Sequence, residues 1–191
     1  YKEAQTQWTR LSNSVRNDPV AARLARLLGV ELKLAEGDSA AALNLLQSGA
    51  KPQVAASRAE LFLAAQANLQ LSAAAPATAP AATVPATRPA NGLSATTQQL
   101  QTWVAGHPRD AQAWQLLSST YAAEGRTLSS IRAQAEVNVA QLDYPAALSR
   151  FKTAQEWARK GGAGTDHFEA SIVDTRTRQV ESTVREQALE R

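Results

Sequence analysis

Residues 110–125 read DAQAWQLLSSTYAAEG, and this stretch decides the fold. Trp114, Leu117 and Tyr121 follow one another at steps of three and four residues, so an α-helix would place all three on one face. Gly125 ends the pattern, as glycine commonly does just after the last turn of a helix. The stretch therefore predicts an amphipathic helix that packs its aromatic face against other helices.

The composition of the whole chain favours the same fold class. Of its 191 residues, 40 are alanine, only 17 are glycine or proline, and none is cysteine or methionine. Alanine has the highest helix propensity, so we expect an all-α protein. The length fits one or two domains, and the lack of cysteine excludes disulfides and thiolate metal sites. The net charge of +3 is spread without a basic patch, so we expect no nucleic-acid partner.

An Ala/Pro-rich segment divides the chain into three parts. Residues 72–92 contain nine alanines, four prolines and one charged residue, which predicts a linker or loop without helix. Residues 1–71 then form an N-terminal helical part, and residues 93–191 form a C-terminal part whose first helix has Ser94 as its predicted N-cap. Two alternatives stay open for the segment, a hinge between two domains and a surface loop within one array.

The chain also repeats a pattern. Residues 110–125 resemble the first helix of a tetratricopeptide repeat, W-x-x-L-x-x-x-Y-x-x-x-G. A second copy has the second-helix spacing A-x-x-x-F-x-x-A at Ala147, Phe151 and Ala154. A weaker copy surrounds Gly29 and Gly37, although Gly29 stands one residue too early for the pattern. The resemblance implies antiparallel helix hairpins stacked into a tetratricopeptide-like solenoid, with an ordinary helical bundle as the alternative.

Two further helices are predicted in the second half. A nearly ideal apolar stripe is formed by Leu128, Ile131, Ala135, Val139 and Leu142. Asp166 and Glu169 have the spacing of a capping box at the start of a final helix over residues 167–189. The apolar stripe of that final helix, which includes Phe168, is thin. We therefore expect the helix to cap the array or dock on a neighbouring domain, with simple solvation of its charged face as the alternative.

The second half is similar to one family in particular. The stretches LQTWVAGHPRDAQAWQLLSSTY (100–121), IRAQAEVNVAQLDYPAALSRFKTAQE (131–156) and DHFEASIVDTRTRQVES (166–182) carry the similarity. They resemble the C-terminal region of bacterial HExxH-type zinc metallopeptidases that carry tetratricopeptide repeats, the BepA-like group. The resemblance covers residues 94–191 well and residues 1–71 more loosely.

That resemblance implies a periplasmic location and a protease domain that precedes the repeats. In the family, the repeats are thought to hold client proteins and the outer-membrane assembly machinery near the zinc ion. The chain begins at Tyr1 in the middle of a helical pattern and contains no methionine, so we expect it to be a piece of a longer protein. Zinc is then expected in the preceding protease domain, and no cofactor is expected in this fragment.

The residues of the fragment itself do not indicate catalysis. Its two histidines, His107 and His167, are sixty residues apart, whereas an HExxH helix needs two histidines four residues apart to reach one zinc ion. We expect His107 to be solvated or to cap a helix C-terminus, and His167 to lie in the first turn of the last helix. The sequence also lacks a G-x-S-x-G elbow and a phosphate-binding loop, and no run of eighteen apolar residues predicts a membrane span.

Binding of proteins or peptides is the predicted function of the fragment. The first-helix pattern places four small, neutral residues on a candidate peptide groove: Gln112, Gln115, Ser119 and Ala122. The groove lacks the lysine, arginine and asparagine that grip a chain-terminal carboxylate, so recognition by shape or by a hydrophobic groove is expected. An ordinary solvated surface is the alternative for these residues. A stand-alone scaffold or co-chaperone and a self-associating dimer are the alternatives for the whole chain.

Overall fold

The structure, a computed structural model, describes residues 1–48, 57–74, 90–160 and 166–189. Helices make up 87% of these residues, and no strand occurs among them. The described part of the chain is all-α, which confirms the predicted fold class. Its helices are α1 (Lys2–Ser14), α2 (Pro19–Ala35), α3 (Ser39–Ser48), α4 (Arg58–Ala74), α5 (Ala90–Gly106), α6 (Ala111–Ala123), α7 (Thr127–Ala140), α8 (Tyr144–Arg159) and α9 (His167–Leu189).

The chain divides into two compact units, Tyr1–Thr96 and Thr97–Arg191, and the division falls within α5. The helices extend further than the sequence predicts, because α4 ends at Ala74 and α5 begins at Ala90. Both ends of the predicted segment 72–92 are therefore helical, while its four prolines all lie among residues 75–89, outside the described residues. Alanine favours helix on either side of the prolines. The hinge and loop alternatives stay predictions.

The prediction that Ser94 caps α5 is wrong. Ser94 lies inside the helix, which begins four residues earlier at Ala90. A serine in front of an apolar pattern is only one of several ways to start a helix, and here the preceding alanine and asparagine take helical geometry as well.

In the first unit, α1 packs on α2 through a tryptophan that lies over a glycine. The indole Nε1 of Trp8 donates a 2.7 Å hydrogen bond to the carbonyl oxygen of Ala25. A Cβ atom at Gly29 would lie 2.4 Å from the Trp8 ring, which no real contact allows. Gly29 is therefore needed for the close approach of α1, which explains why it does not fit the register of a repeat.

Also in the first unit, α4 packs against α3 and α2, and Glu60 joins α4 to α2. The Glu60 carboxylate accepts hydrogen bonds from the guanidinium groups of Arg23, at 2.6 and 3.1 Å, and of Arg26, at 2.9 Å. It also accepts from the backbone nitrogen of Ser57, while the Ser57 hydroxyl oxygen accepts from the Glu60 nitrogen. Ser57 and Glu60 thus form a reciprocal capping box at the start of α4.

In the second unit, consecutive helices form hairpins. The helix α7 packs between α6 and α8, and α9 packs against α8 and returns to contact α7. The core of the last three helices combines residues from all of them, with Ala135, Phe151 and Val173 completely buried.

Three helix turns share one backbone geometry. Gly37, Gly125 and Leu142 have φ values of +80°, +75° and +63° and follow α2, α6 and α7. At each turn the next residue's backbone nitrogen donates a hydrogen bond to the carbonyl oxygen five residues earlier: Asp38 to Lys33, Arg126 to Tyr121 and Asp143 to Asn138, at 2.8 to 2.9 Å. This is the Schellman motif, in which a residue with positive φ ends a helix.

The same three hairpins cross at equivalent positions. In each hairpin we count from the residue with positive φ. The residue seven positions before it and the residue five positions after it are both buried. These pairs are Val30 with Ala42, Ser118 with Ser130, and Ala135 with Ala147. In the second and third hairpins both side chains of the pair are small, which lets the two helices approach closely. The residue of the first hairpin that matches Ser118 is therefore Val30, and the early position of Gly29 reflects its separate contact with Trp8.

Leu142 is placed differently from its predicted position. The apolar stripe of α7 ends at Val139, because the helix itself ends at Ala140, and Leu142 is 65% exposed in the following turn. Because Leu142 has a positive φ, its side chain does not lie on the helix face that the spacing of the stripe predicts for it.

Candidate interaction surface

The start of α6 is fixed by Asp110. One carboxylate oxygen of Asp110 accepts a 3.2 Å hydrogen bond from the backbone nitrogen of Ala113, and the other accepts a 3.0 Å bond from the indole of Trp103 on α5. The imidazole of His107 stacks on the Trp103 ring at 4.0 Å, and its Nδ1 lies 3.0 Å from the Trp103 carbonyl oxygen. His107 thus makes the C-terminal capping contact predicted for it.

The predicted packing residues of α6 form its inner face. Leu117 and Tyr121 are buried, and the Tyr121 hydroxyl oxygen accepts a 2.8 Å hydrogen bond from Gln101. Trp114 is only half-buried, and its indole donates a 3.0 Å bond to the carbonyl oxygen of Pro108. Trp114 therefore lies at the edge of the core and fixes the turn before α6.

The packing residues predicted for the second copy belong to α8. Ala147, Phe151 and Ala154 are completely buried in one cluster with residues of α7 and α9. The first-helix pattern is thus on α6 and the second-helix pattern on α8, with only α7 between them. The two copies predicted from the sequence therefore overlap, because α7 serves as the hairpin partner of both.

The four predicted groove residues lie along the outer side of α6. Gln112, Gln115 and Ala122 are exposed, and Ser119 is half-buried with its hydroxyl donating to the carbonyl oxygen of Gln115. They precede the Gly125 turn by 13, 10, 6 and 3 residues, so the helix places them on one face. Their binding function stays a prediction.

The residues at the same distances before the Leu142 turn have a different environment. They are Ser129, Arg132, Glu136 and Val139 of α7. The guanidinium of Arg132 pairs with Glu169 of α9. The carboxylate of Glu136 accepts two 2.6 Å hydrogen bonds from the guanidinium of Arg176, also of α9. Two of the four α7 residues that correspond to the candidate groove, Arg132 and Glu136, are therefore paired with α9.

The sequence patterns did not predict the ion pairs Arg132–Glu169 and Glu136–Arg176. Glu136 and Glu169 are only 5% exposed, although both would be solvated if the charged residues of these helices faced water. The bidentate bond to Glu136 raises the pKa of the Arg176 guanidinium above its usual value. The signal in the sequence is a pair of opposite charges seven residues apart on α9, Glu169 and Arg176, and it can be recognised only once α9 is paired with α7.

The predicted capping box of α9 is only half formed. A carboxylate oxygen of Asp166 accepts from the backbone nitrogens of Phe168 and Glu169, at 2.9 and 3.4 Å, as an N-cap does. The Glu169 carboxylate does not complete the box, because it pairs with Arg132 of α7. Phe168, which the sequence assigned to the apolar stripe of α9, is 75% exposed.

The described residues contain no group of three or more histidine, aspartate or glutamate side chains arranged to hold a metal ion. None of the helices in the described part of the chain is long and apolar enough to cross a membrane. Comparison of the chain with protein-family models and with curated protein sequences found no match in either case.

Proposed function

We propose that this chain is a non-catalytic, protein-binding helical-repeat module. The observation that carries the proposal is the common geometry of the hairpins that turn at Gly37, Gly125 and Leu142, each with a buried crossing pair at the same two positions. Repeated helix hairpins of this kind stack side by side and offer one face of successive helices as an extended binding surface. Such modules act by surface complementarity.

The outer face of α6 is the proposed binding surface for a peptide or an extended protein segment. Gln115 supplies an exposed amide group that donates and accepts hydrogen bonds, and Ala122 leaves room for a side chain of the ligand. None of the four groove residues is charged, so the surface suits a ligand that is recognised by shape and neutral hydrogen bonds.

A matched pair of alanine-to-arginine substitutions, one on α6 and one on α9, tests the proposed surface. Peptides are selected from a displayed random library against the full chain, and the affinity of a selected peptide is then measured by fluorescence anisotropy. A122R places a long cation on the proposed surface and should weaken binding at least about tenfold, whereas A188R, the same substitution at an exposed alanine of α9, should not. Equal effects of the two substitutions, or a library that yields no binder, would contradict the proposal.

We further propose, from the family resemblance of residues 94–191, that the module belongs to a periplasmic zinc metallopeptidase. In this proposal it recruits envelope client proteins and the outer-membrane assembly machinery to a protease domain that holds the zinc ion. Sequencing the gene upstream of the Tyr1 codon tests this point. A signal peptide followed by an HExxH motif is expected, while an upstream sequence without that motif would leave the alternative, a stand-alone scaffold or co-chaperone.

A further inference from the structure

The helix α2 has two apolar faces, and the second of them is exposed. The residues that it buries within the first unit are Ala25, Gly29, Val30 and Leu34. Val20, Leu24 and Leu28 follow one another at steps of four residues on a different face, and they are 69%, 63% and 47% exposed. A surface helix normally carries one apolar stripe, which faces its own core. The second stripe, which we call the α2 stripe, therefore indicates a second contact.

The α2 stripe is chemically unlike the proposed binding surface of α6. Leu24 precedes its turn by thirteen residues, the same distance as Gln112 on α6. An exposed leucine thus stands where α6 has an amide side chain. Leu11 of α1 is exposed as well. Exposed large apolar side chains that lie together mark sites of protein interaction, so we expect the α2 stripe to have a partner of its own.

The charges at the two ends of the α2 stripe are opposite in sign. Arg16 lies in the turn between α1 and α2, Glu31 lies near the other end of α2, and both are exposed. They stand eight and seven residues from Leu24, so the arrangement is nearly symmetrical about that leucine. In an antiparallel pair of such helices centred on Leu24, Val20 of each copy faces Leu28 of the other. Each Glu31 then reaches the end of the other copy that carries Arg16.

This self-complementarity identifies the partner as another copy of the same helix. In the antiparallel pair both ends join opposite charges, and the apolar residues meet in the middle. A parallel pair would set Arg16 against Arg16 and Glu31 against Glu31, which like-charge repulsion disfavours. A contact that uses the same patch on both partners is the kind that closes a two-fold symmetric dimer.

We propose that the α2 stripe is a self-association surface, on which a second copy of this chain docks antiparallel about a two-fold axis at Leu24. Three side chains per copy bury less than the area of about 800 Å² per partner that a standard interface needs, so we expect a weak dimer with a dissociation constant on the order of 10 µM. The proposal does not depend on peptide binding by α6.

Sedimentation equilibrium of the full chain from about 1 to about 500 µM tests the dimer. The apparent mass should rise with concentration from 20.4 kDa towards twice that value. L24D sets two carboxylates against each other at the two-fold axis and should weaken dimerisation at least about tenfold. L142D is the matched control, because Leu142 is equally exposed at 65% but lies outside α2, and it should dimerise like the unmodified chain.

Charge reversal tests the antiparallel arrangement separately. R16E gives a chain with an acidic residue at both ends of the α2 stripe, and E31R gives a chain with a basic residue at both ends. Each variant alone should dimerise at least about tenfold more weakly than the unmodified chain. A mixture of the two, with the R16E chain fluorescently labelled, should recover the affinity, because both ends of the heterodimer then join opposite charges.

Three results would overturn the proposal. The first is a mass that stays at 20.4 kDa at every concentration. The second is equal dimerisation of the L24D and L142D chains, and the third is a mixture that associates no more tightly than R16E or E31R alone. A mass that rises beyond that of a dimer would overturn it as well, because a two-fold contact uses the α2 stripe of both copies and leaves none for a third.

Discussion

Ser118 and Ser130 bond to each other across the crossing of α6 and α7. The hydroxyl of Ser118 donates to the Ser130 carbonyl oxygen at 3.1 Å, the hydroxyl of Ser130 donates to the Ser118 carbonyl oxygen at 3.0 Å, and the two hydroxyl oxygens are 3.1 Å apart. Both residues are buried. At the equivalent crossing of α7 and α8 the pair is Ala135 and Ala147, so two methyl groups fill the same place without any side-chain hydrogen bond.

This relationship predicts non-additive substitutions. S118A and S130A should each lower the free energy of unfolding by about 1 kcal/mol, because each removes one buried hydrogen bond. The double variant should cost less than the sum, since the two hydroxyl oxygens also contact each other and either single substitution already removes that shared contact. Urea unfolding of the four chains measures this difference. Strict additivity would mean that the two hydroxyl groups are independent.

The turn at Leu142 predicts a stabilising substitution. A leucine with φ of +63° is strained, whereas glycine adopts this conformation freely, and Leu142 is mostly exposed, so little packing is lost. L142G should raise the free energy of unfolding by about 1 kcal/mol. G125A makes the converse change at the equivalent turn and should lower it by a similar amount. Thermal unfolding of both chains measures the signs, and a destabilised L142G would contradict this account.

The sequence predicted the helices well because local signals define them. Asp18, Asp110 and Asp143 each accept a hydrogen bond from the backbone of the helix that they precede, and glycine with positive φ ends α2 and α6. Capping and periodicity act within a few residues, so they can be deduced from one sequence. The buried packing of Leu117, Tyr121 and Phe151 follows from the same local spacing.

The relations between distant residues could not be predicted in the same way. Arg132 and Glu169 are 37 residues apart, and the sequence places Glu169 at a capping-box position that explains it equally well. Gly29 stands one residue from the glycine position of a repeat, but the residue has to be glycine because Trp8 packs directly on it. Each of these residues satisfies a local pattern and a distant contact, and the packing of the helices decides between the two.

Glu60 predicts a stability that depends on pH. The Arg23 guanidinium is the main cause that lowers the pKa of the Glu60 carboxyl to about 2, and the backbone and hydroxyl of Ser57 add to it. A depressed pKa stabilises the folded chain above the ordinary value of about 4.5, and this contribution disappears as the pH falls towards 2. Because Glu60 is only 17% exposed, its contribution at neutral pH should be about 2 kcal/mol.

E60Q tests this contribution. At pH 7 the free energy of unfolding of the variant should be about 2 kcal/mol lower than that of the unmodified chain. This difference should shrink between pH 4.5 and pH 2. E3Q, on the exposed surface of α1, is the control and should change stability little at any pH. Urea unfolding across this pH range gives both comparisons. A difference between E60Q and the unmodified chain that stays constant down to pH 2 would exclude titration of Glu60 as its source.

The contact between Trp8 and Gly29 predicts a substitution whose effect changes sign. A Cβ atom at residue 29 would lie 2.4 Å from the Trp8 ring, so G29A should displace α1 and lower the free energy of unfolding by about 1 to 3 kcal/mol. In a W8A chain the ring is gone, and G29A should then stabilise α2 by about 0.5 to 1 kcal/mol, because alanine favours helix over glycine. Chemical unfolding of the four chains measures this cycle. If G29A were destabilising to the same degree in both backgrounds, residue 29 would have to be glycine for a reason other than the indole of α1.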